Sequence, residues 1–259
     1  MPKFVEYLLV AILGWTCGAL VNYLTDVLPL RRKFTAPFCQ KCGENLPIIN
    51  YLFWPRRCSS CGQPRRWRTW LVEILGIAAM LWLWITPPAK LGFVLGAMVL
   101  FYFAIVTIID LEYRLILHPV SIAGVVLGLT VGVLIHPWYE AVLGGVIGFG
   151  VMLFFYYLGT IFARWMAKRR KVELGGEALG FGDVNLSGVL GLLLGSWSIL
   201  MWLVISAILG AVISLVYMAV MASTRRYRIF AAIPYGPFLV AGAFIFLYLP
   251  GLVKIILAR

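Results

Sequence analysis

Residues 180–195 read Gly-Phe-Gly-Asp-Val-Asn-Leu-Ser-Gly-Val-Leu-Gly-Leu-Leu-Leu-Gly. The apolar part, about 183–195, is shorter than the roughly 20 residues a helix needs to cross the hydrocarbon core. Whether it is a helix decides the fold, because Gly188, Gly191 and Gly195 also fit a broken or re-entrant segment. Seven longer apolar runs flank it, at about 4–28, 70–87, 91–109, 118–136, 139–163, 197–221 and 235–257. Counting the short run gives eight helices.

The chain of 259 residues is 63% hydrophobic and 12% charged, outside the soluble range and typical of a polytopic membrane protein. Its first run is too long for a signal-peptide core and lacks a small-residue cleavage site, so no cleavable signal is expected. Pro87-Pro88 ends the second run, His136-Pro137 ends the fourth, and Pro234 and Pro237 bracket the entry to the last. No internal repeat and no low-complexity tract is evident. The glycines, with Gly144, Gly145 and Gly148, are expected to let helices pack closely.

The distribution of charge decides the helix count. Of 22 Lys and Arg residues, 18 fall on one side of an eight-helix arrangement. Nine lie in the loop 30–69: Arg31, Arg32, Lys33, Lys41, Arg56, Arg57, Arg65, Arg66 and Arg68. An odd number of helices would not partition them this cleanly. The bias of basic residues toward the cytoplasm then places these loops inside and both termini outside. Contact with solvent and lipid headgroups accounts for most of this charge, and no nucleic-acid partner is expected. The expected fold is therefore an all-α polytopic membrane protein of about eight transmembrane helices with a small cytoplasmic zinc-ribbon-like loop. Its parts are a first helix (1–29), a four-cysteine loop (30–69) and a core of about seven helices (70–259).

Cys39-Gln40-Lys41-Cys42 and Cys58-Ser59-Ser60-Cys61 are separated by 15 residues. That spacing matches a structural four-thiolate zinc site, and Gly43 and Gly62 permit the turn after each pair. Disulfides and free thiols are the alternatives, the former disfavoured in a reducing compartment. Cys17, in the first run, reads as a small packed residue.

Two carboxylates stand at the ends of apolar runs, where a charge is costly. They are Asp183 and, 73 residues earlier, Asp110. The eight-helix arrangement puts both at the same cytoplasmic depth. Two facing carboxylates that share a proton supply the base that activates water and the acid that protonates a leaving amine. Gly180 and Gly182 allow close approach of a partner helix and an extended substrate, and the start of a helix favours the negative charge of Asp183. Taken singly, Asp183 also reads as an N-cap and Asp110 as a solvated interfacial residue. Asn22 and Glu73 interrupt the first two runs. They read either as hydrogen-bonded to neighbouring helices or as groups that receive substrate or methyl donor. Asp26 reads as a solvated boundary residue. Glu112 and Glu177, near the aspartates, read as loop charges or as an acidic mouth for a basic segment. Pro234, Gly236 and Pro237 are expected to leave backbone groups free near the site.

Across nearly its whole length the chain resembles the bacterial type IV prepilin peptidases, membrane aspartyl proteases of the GxGD type. The resemblance rests on Gly18-Ala19-Leu20-Val21-Asn22, the four-cysteine loop with Asn50-Tyr51-Leu52, Leu71-Val72-Glu73 and Ile108-Ile109-Asp110-Leu111-Glu112. It continues through Glu177-Ala178-Leu179-Gly180-Phe181-Gly182-Asp183-Val184 and Ile233-Pro234-Tyr235-Gly236-Pro237-Phe238. It implies that Asp110 and Asp183 are catalytic. The implied substrates are prepilins and pseudopilins with a basic leader, cut on the cytoplasmic side of the inner membrane after a glycine. It further implies N-methylation of the new terminus with S-adenosylmethionine, an activity associated with the large cytoplasmic loop. Two positions depart from the pattern. His118, before Pro119, stands where the family usually carries Asp or Asn, and Asn185 where it usually carries Lys. Neither removes an aspartate. The competing reading, a membrane scaffold or transporter with a zinc module, leaves two aspartates at one depth without a role.

Overall fold

The structure is a computed structural model that describes residues 3–53, 56–170, 180–223, 234–251 and 253. Among these residues there are nine helices and no strand, only the isolated bridges Phe38–Asn45 and Arg57–Pro64. Six helices are long and apolar enough to cross a membrane: Lys3–Arg31, Trp67–Ile85, Gly92–Tyr113, His118–Ile135, Trp138–Phe162 and Ser196–Ile213. Two shorter apolar helices, Phe181–Leu194 and Gly236–Tyr248, complete the eight expected from the apolar runs. The chain forms two compact units, residues 1–108 and 109–259.

In the first unit, α1 (Lys3–Arg31) packs along α3 (Trp67–Ile85). Buried positions on α1 recur at Val10, Gly14, Gly18, Val21, Thr25 and Leu28, the spacing of one helical face. The backbones touch where glycines meet: a Cβ on Gly14 would lie 2.7 Å from the Gly76 carbonyl oxygen, and one on Gly76 2.7 Å from that of Gly14. Lipid offers apolar side chains nothing that a neighbouring helix does not, so this closeness is what makes the pair pack. Between α1 and α3 lies the four-cysteine loop with the one-turn helix α2 (Ile48–Leu52).

The loop does contain a short repeat. Cys39 N–H donates to Glu44 O and Gly43 N–H to Cys39 O; 19 residues on, Cys58 N–H donates to Gln63 O and Gly62 N–H to Cys58 O. Gly43 and Gly62 both have positive φ, 77° and 66°, which a side chain would strain. Each knuckle runs into a helix, the first into α2 and the second into α3. The side chains diverge so far between the halves that only the Cys-x-x-Cys-Gly frame is common, which hides the repeat from inspection of the sequence.

The second unit is built around α7 (Phe181–Leu194), which α5 (His118–Ile135), α6 (Trp138–Arg170), α8 (Ser196–Ser223) and α9 (Gly236–Tyr248) surround. Leu186, Val189, Leu190 and Leu193 are fully buried. At 14 residues α7 is about 21 Å long, less than the ~30 Å hydrocarbon core. A helix sheathed in protein has no need to match the bilayer. The segment is thus one continuous helix, ended at Gly195 with φ 76°. Its glycines do serve packing: the Gly144 and Gly191 backbones of α6 and α7 meet with no room for a Cβ. The helix α4 (Gly92–Tyr113) belongs to the second unit from Ile109 onward.

Candidate active site and metal centre

Asp110 lies in the last turn of α4, where the end of its own helix dipole is unfavourable for a negative charge. Two features offset this. The Gly236 backbone N–H, at the start of α9, donates to Asp110 Oδ2 at 3.0 Å. Arg114, one turn further on, is within electrostatic range of the carboxylate. Asp183 lies in the first turn of α7, takes a backbone hydrogen bond from Gly180, and its own N–H donates to Gly180 O at 3.0 Å. Both carboxylates are buried, at 5% and 9% exposure, and they lie within electrostatic range of each other. The folded chain thus faces two acidic side chains across helices 73 residues apart, each beside a helix N-terminus.

The glycines around this pair do different things. A Cβ on Gly236 would lie 2.6 Å from Asp110 Oδ2, so the glycine is what lets the backbone reach the carboxylate. A Cβ on Gly182 would lie 2.8 Å from the Ile116 side chain, so Gly182 seats α7 against the link between α4 and α5. Among the described residues a Cβ on Gly180 would meet Asp183 Oδ2 at an ordinary 3.5 Å and Gly182 N at 4.0 Å, and Gly180 is exposed. Phe181 packs edge-on against Tyr156 of α6, which fixes the entry to α7. Tyr235, just ahead of Gly236, is within electrostatic range of Asp183.

In the first unit, the sulfurs of Cys39, Cys42, Cys58 and Cys61 all lie within 4.8 Å of one another, and none is in a disulfide. Cys39–Cys61 and Cys42–Cys58 are each 3.6 Å apart. Four thiolates about 2.3 Å from a tetrahedral ion stand about 3.8 Å from each other, so the cluster has the size of a metal centre. Backbone N–H groups of Cys61 and Ser60 lower the Cys58 thiol to about 6, and that of Cys42 lowers Cys39, whereas Cys42, hydrogen-bonded to these sulfurs, is pushed up to about 12. Without a metal the cluster therefore holds its thiolates on Cys58 and Cys39 and its proton on Cys42.

Known proteins bear on the chain at both units. The family model for the type IV leader peptidase family matches residues 97–215, and that for the bacterial peptidase A24 N-terminal domain matches residues 12–86. A prepilin leader peptidase/N-methyltransferase of Pseudomonas putida is 31% identical over 218 residues, covering 80% of this chain and 69% of that protein. The chain belongs to the type IV leader peptidase family. A relative of the same name from Klebsiella pneumoniae is 30% identical over 203 residues, covering 70% of this chain and 82% of that protein. One from Dichelobacter nodosus is 29% identical over 223 residues, covering 81% and 70%. No solved structure matches the chain.

The remaining residues singled out in this leader-peptidase chain are distributed as follows. Glu112 and His118 are exposed, Asn185 is half-buried, and Pro234 is half-buried ahead of α9. Glu177 lies outside the described residues. Asn22 and Glu73 are buried in the first unit: Asn22 Nδ2 donates to Thr69 O at 3.0 Å, and Glu73 accepts from Trp15 Nε1 at 3.1 Å and Arg56 Nη2 at 2.9 Å. Asp26 differs from its sequence reading. It is not a solvated boundary charge but a hub that accepts from Arg65 at 2.6 Å, from Arg68, and from the Tyr51 hydroxyl at 2.9 Å. The Arg65 guanidinium also stacks 3.6 Å over the Tyr51 ring, and burial beside Asp26 pushes the Tyr51 phenol up. The basic loop is therefore tied to the helix ends by a buried ion pair, Arg56–Glu73, and by the partly buried pairs of Asp26. The available signal was the number of cations in the loop set against two acids placed within apolar runs.

Proposed function

We propose that this chain hydrolyses the leader from prepilin-like precursors, with Asp110 and Asp183 as the catalytic pair. The observation that supports it is the pair of buried carboxylates within electrostatic range, one held by the Gly236 N–H. One carboxylate, ionised, takes a proton from water as the water oxygen attacks the scissile carbonyl carbon. The other, protonated, gives its proton to the leaving nitrogen as the C–N bond breaks. The products are a carboxylic acid and a free amine, and the pair ends with one shared proton, as it began. Exposed Gly180 leaves room for an extended substrate backbone beside Asp183. The relatives' printed names support a second step, in which S-adenosylmethionine supplies a methyl group to the new amine.

Zinc fits the four-cysteine cluster. Cys39, Cys42, Cys58 and Cys61 would fill all four tetrahedral positions, leaving none for substrate, so its role is to hold the two knuckles together. In this reading the first helix (1–29), the loop (30–69) and the helical core (70–259) sit in the bacterial inner membrane. The knuckles and both aspartates face the cytoplasm and both termini face out, which the asymmetry of basic residues supports. A purified sample is incubated with a precursor carrying a basic leader and a glycine before the cut, and the product is weighed by mass spectrometry. Loss of the leader, with or without one added methyl group, is expected. An intact precursor, from a sample whose fold and metal content are normal, overturns the reading.

A further inference from the structure

The first unit carries a half-open cavity of ≈ 460 Å³ that the aspartate chemistry does not use. Its walls are the last turns of α1, the helix α2, both knuckles and the first turn of α3. Lys41, Arg56, Arg57, Arg65, Arg66 and Arg68 all line it, against one lining carboxylate among the described residues, Asp26. Among the described residues, with Glu73 counted behind Arg56 and a zinc-loaded four-thiolate cluster counted as two net negative charges, two positive charges are in excess.

Arg56 shows where an anion would sit. The residue is 5% exposed and its backbone is held at φ 48°, a left-handed conformation that side chains rarely adopt. Its Nε and Nη2 donate to Leu52 O, and Nη2 pairs with Glu73, but the buried Nη1 has no acceptor. A buried guanidinium N–H without an acceptor is costly, and the planar fork suits a tetrahedral oxyanion.

We infer that this cavity is a binding site for a phosphate-type anion, supplied either by the headgroup of an anionic phospholipid or by free phosphate. Asp26 stands in the last turns of a membrane-crossing helix and Arg68 in the first turn of another, so the cavity lies at the depth of headgroups. Basic pockets between the cytoplasmic ends of membrane helices take such headgroups. The charge of the lining disfavours a ligand that carries a sulfonium and an ammonium, which separates this site from a methyl-donor pocket.

The test uses the full chain, purified in detergent and stripped of lipid. Native mass spectrometry counts bound phosphatidylglycerol against zwitterionic phosphatidylcholine, and thermal unfolding is followed with added inorganic phosphate. The informative variants are Arg57→Gln with Arg66→Gln, both exposed, and Arg56→Lys, which keeps the charge and loses Nη1. Metal content reports whether each variant is folded. Selective retention of phosphatidylglycerol is expected for the wild type, with affinity down about tenfold in the double variant, the size of a lost charge-assisted hydrogen bond. Stabilisation by phosphate without lipid preference supports the site with a soluble occupant. Equal binding of both lipids with no effect of phosphate overturns the inference. So does anion binding unchanged in folded double variant, or displacement of phosphatidylglycerol by S-adenosylmethionine alone.

Discussion

The knuckle loop and the aspartate pair are both polar sites built onto membrane helices, and they are assembled in opposite ways. The loop is local. Its four sulfurs, its two glycine turns and its repeated hydrogen bonds all fall within residues 37–65. The pair draws on residues far apart: Asp110 takes its hydrogen bond from Gly236, 126 positions on, and Asp183 starts a helix that four others enclose. A local site tolerates change elsewhere and fails when a ligand is lost. A site assembled across helices fails when any contributor moves by a fraction of an ångström. Substitutions that separate these modes of failure test the comparison directly.

The largest effect is expected from Asp110→Asn or Asp183→Asn. Either leaves the shape intact but removes the shared proton, so leader cleavage falls by on the order of 10³-fold or more. Metal content and thermal stability stay at the wild-type level. Retained cleavage in either variant removes the role of the pair. Cys58→Ser is expected to do the reverse. Bound zinc, measured by elemental analysis, falls from one per chain, and limited proteolysis opens the loop, because metal binding and folding of such a module are one equilibrium. If Cys58→Ser abolished cleavage as completely as the aspartate variants do, the two regions would not be the separate modes of construction described above.

Next in size is Gly236→Ala. The added methyl would stand 2.6 Å from Asp110 Oδ2, so either the carboxylate or the start of α9 must shift. A shift of that order costs about 10²-fold in kcat. Smaller again is Asp26→Asn, which removes the carboxylate charge that Arg65 and Arg68 both reach. It is expected to cost about 2 kcal/mol of stability, read as a lower midpoint of thermal unfolding, with cleavage per folded molecule unchanged.

How much of this was legible in the sequence follows the same division. The cysteine spacing pointed to the cluster of four sulfurs because every one of them is local. The two aspartates drew attention because a charge at the end of an apolar run demands a reason, and the charge partition predicts one depth for both; that they come within electrostatic range of each other is a property of the fold. The short run 183–195 stayed ambiguous by length alone, since nothing in it shows that four helices enclose it. The Gly236–Asp110 bond was invisible because no periodicity links residues 126 apart; the backbone near Gly236 was expected to lie free near the site, and instead its N–H is taken by Asp110. Asp26 misled for a related reason. Position in a hydropathy profile reports depth, whereas its actual state depends on Arg65 and Arg68 returning to it from the far end of the loop.

The smallest effects fall on the two glycines that share a motif, and they are the sharpest test of it. Gly182 has no room for a methyl, because Ile116 stands 2.8 Å from where it would go. Gly182→Ala must therefore push α7 away from the link before α5, and it should lower thermal stability together with cleavage. Gly180 has the room, with its nearest neighbour at 3.5 Å, and it lies exposed at the mouth of the pair. Gly180→Ala is expected to leave the unfolding midpoint unchanged and to raise KM severalfold with a smaller change in kcat, since the methyl would occupy space that an extended substrate backbone uses. That split separates a glycine kept for packing from one kept for substrate. Equal losses of stability in both variants would mean that Gly180, too, is there for the helix and that the substrate approaches the aspartates from another side.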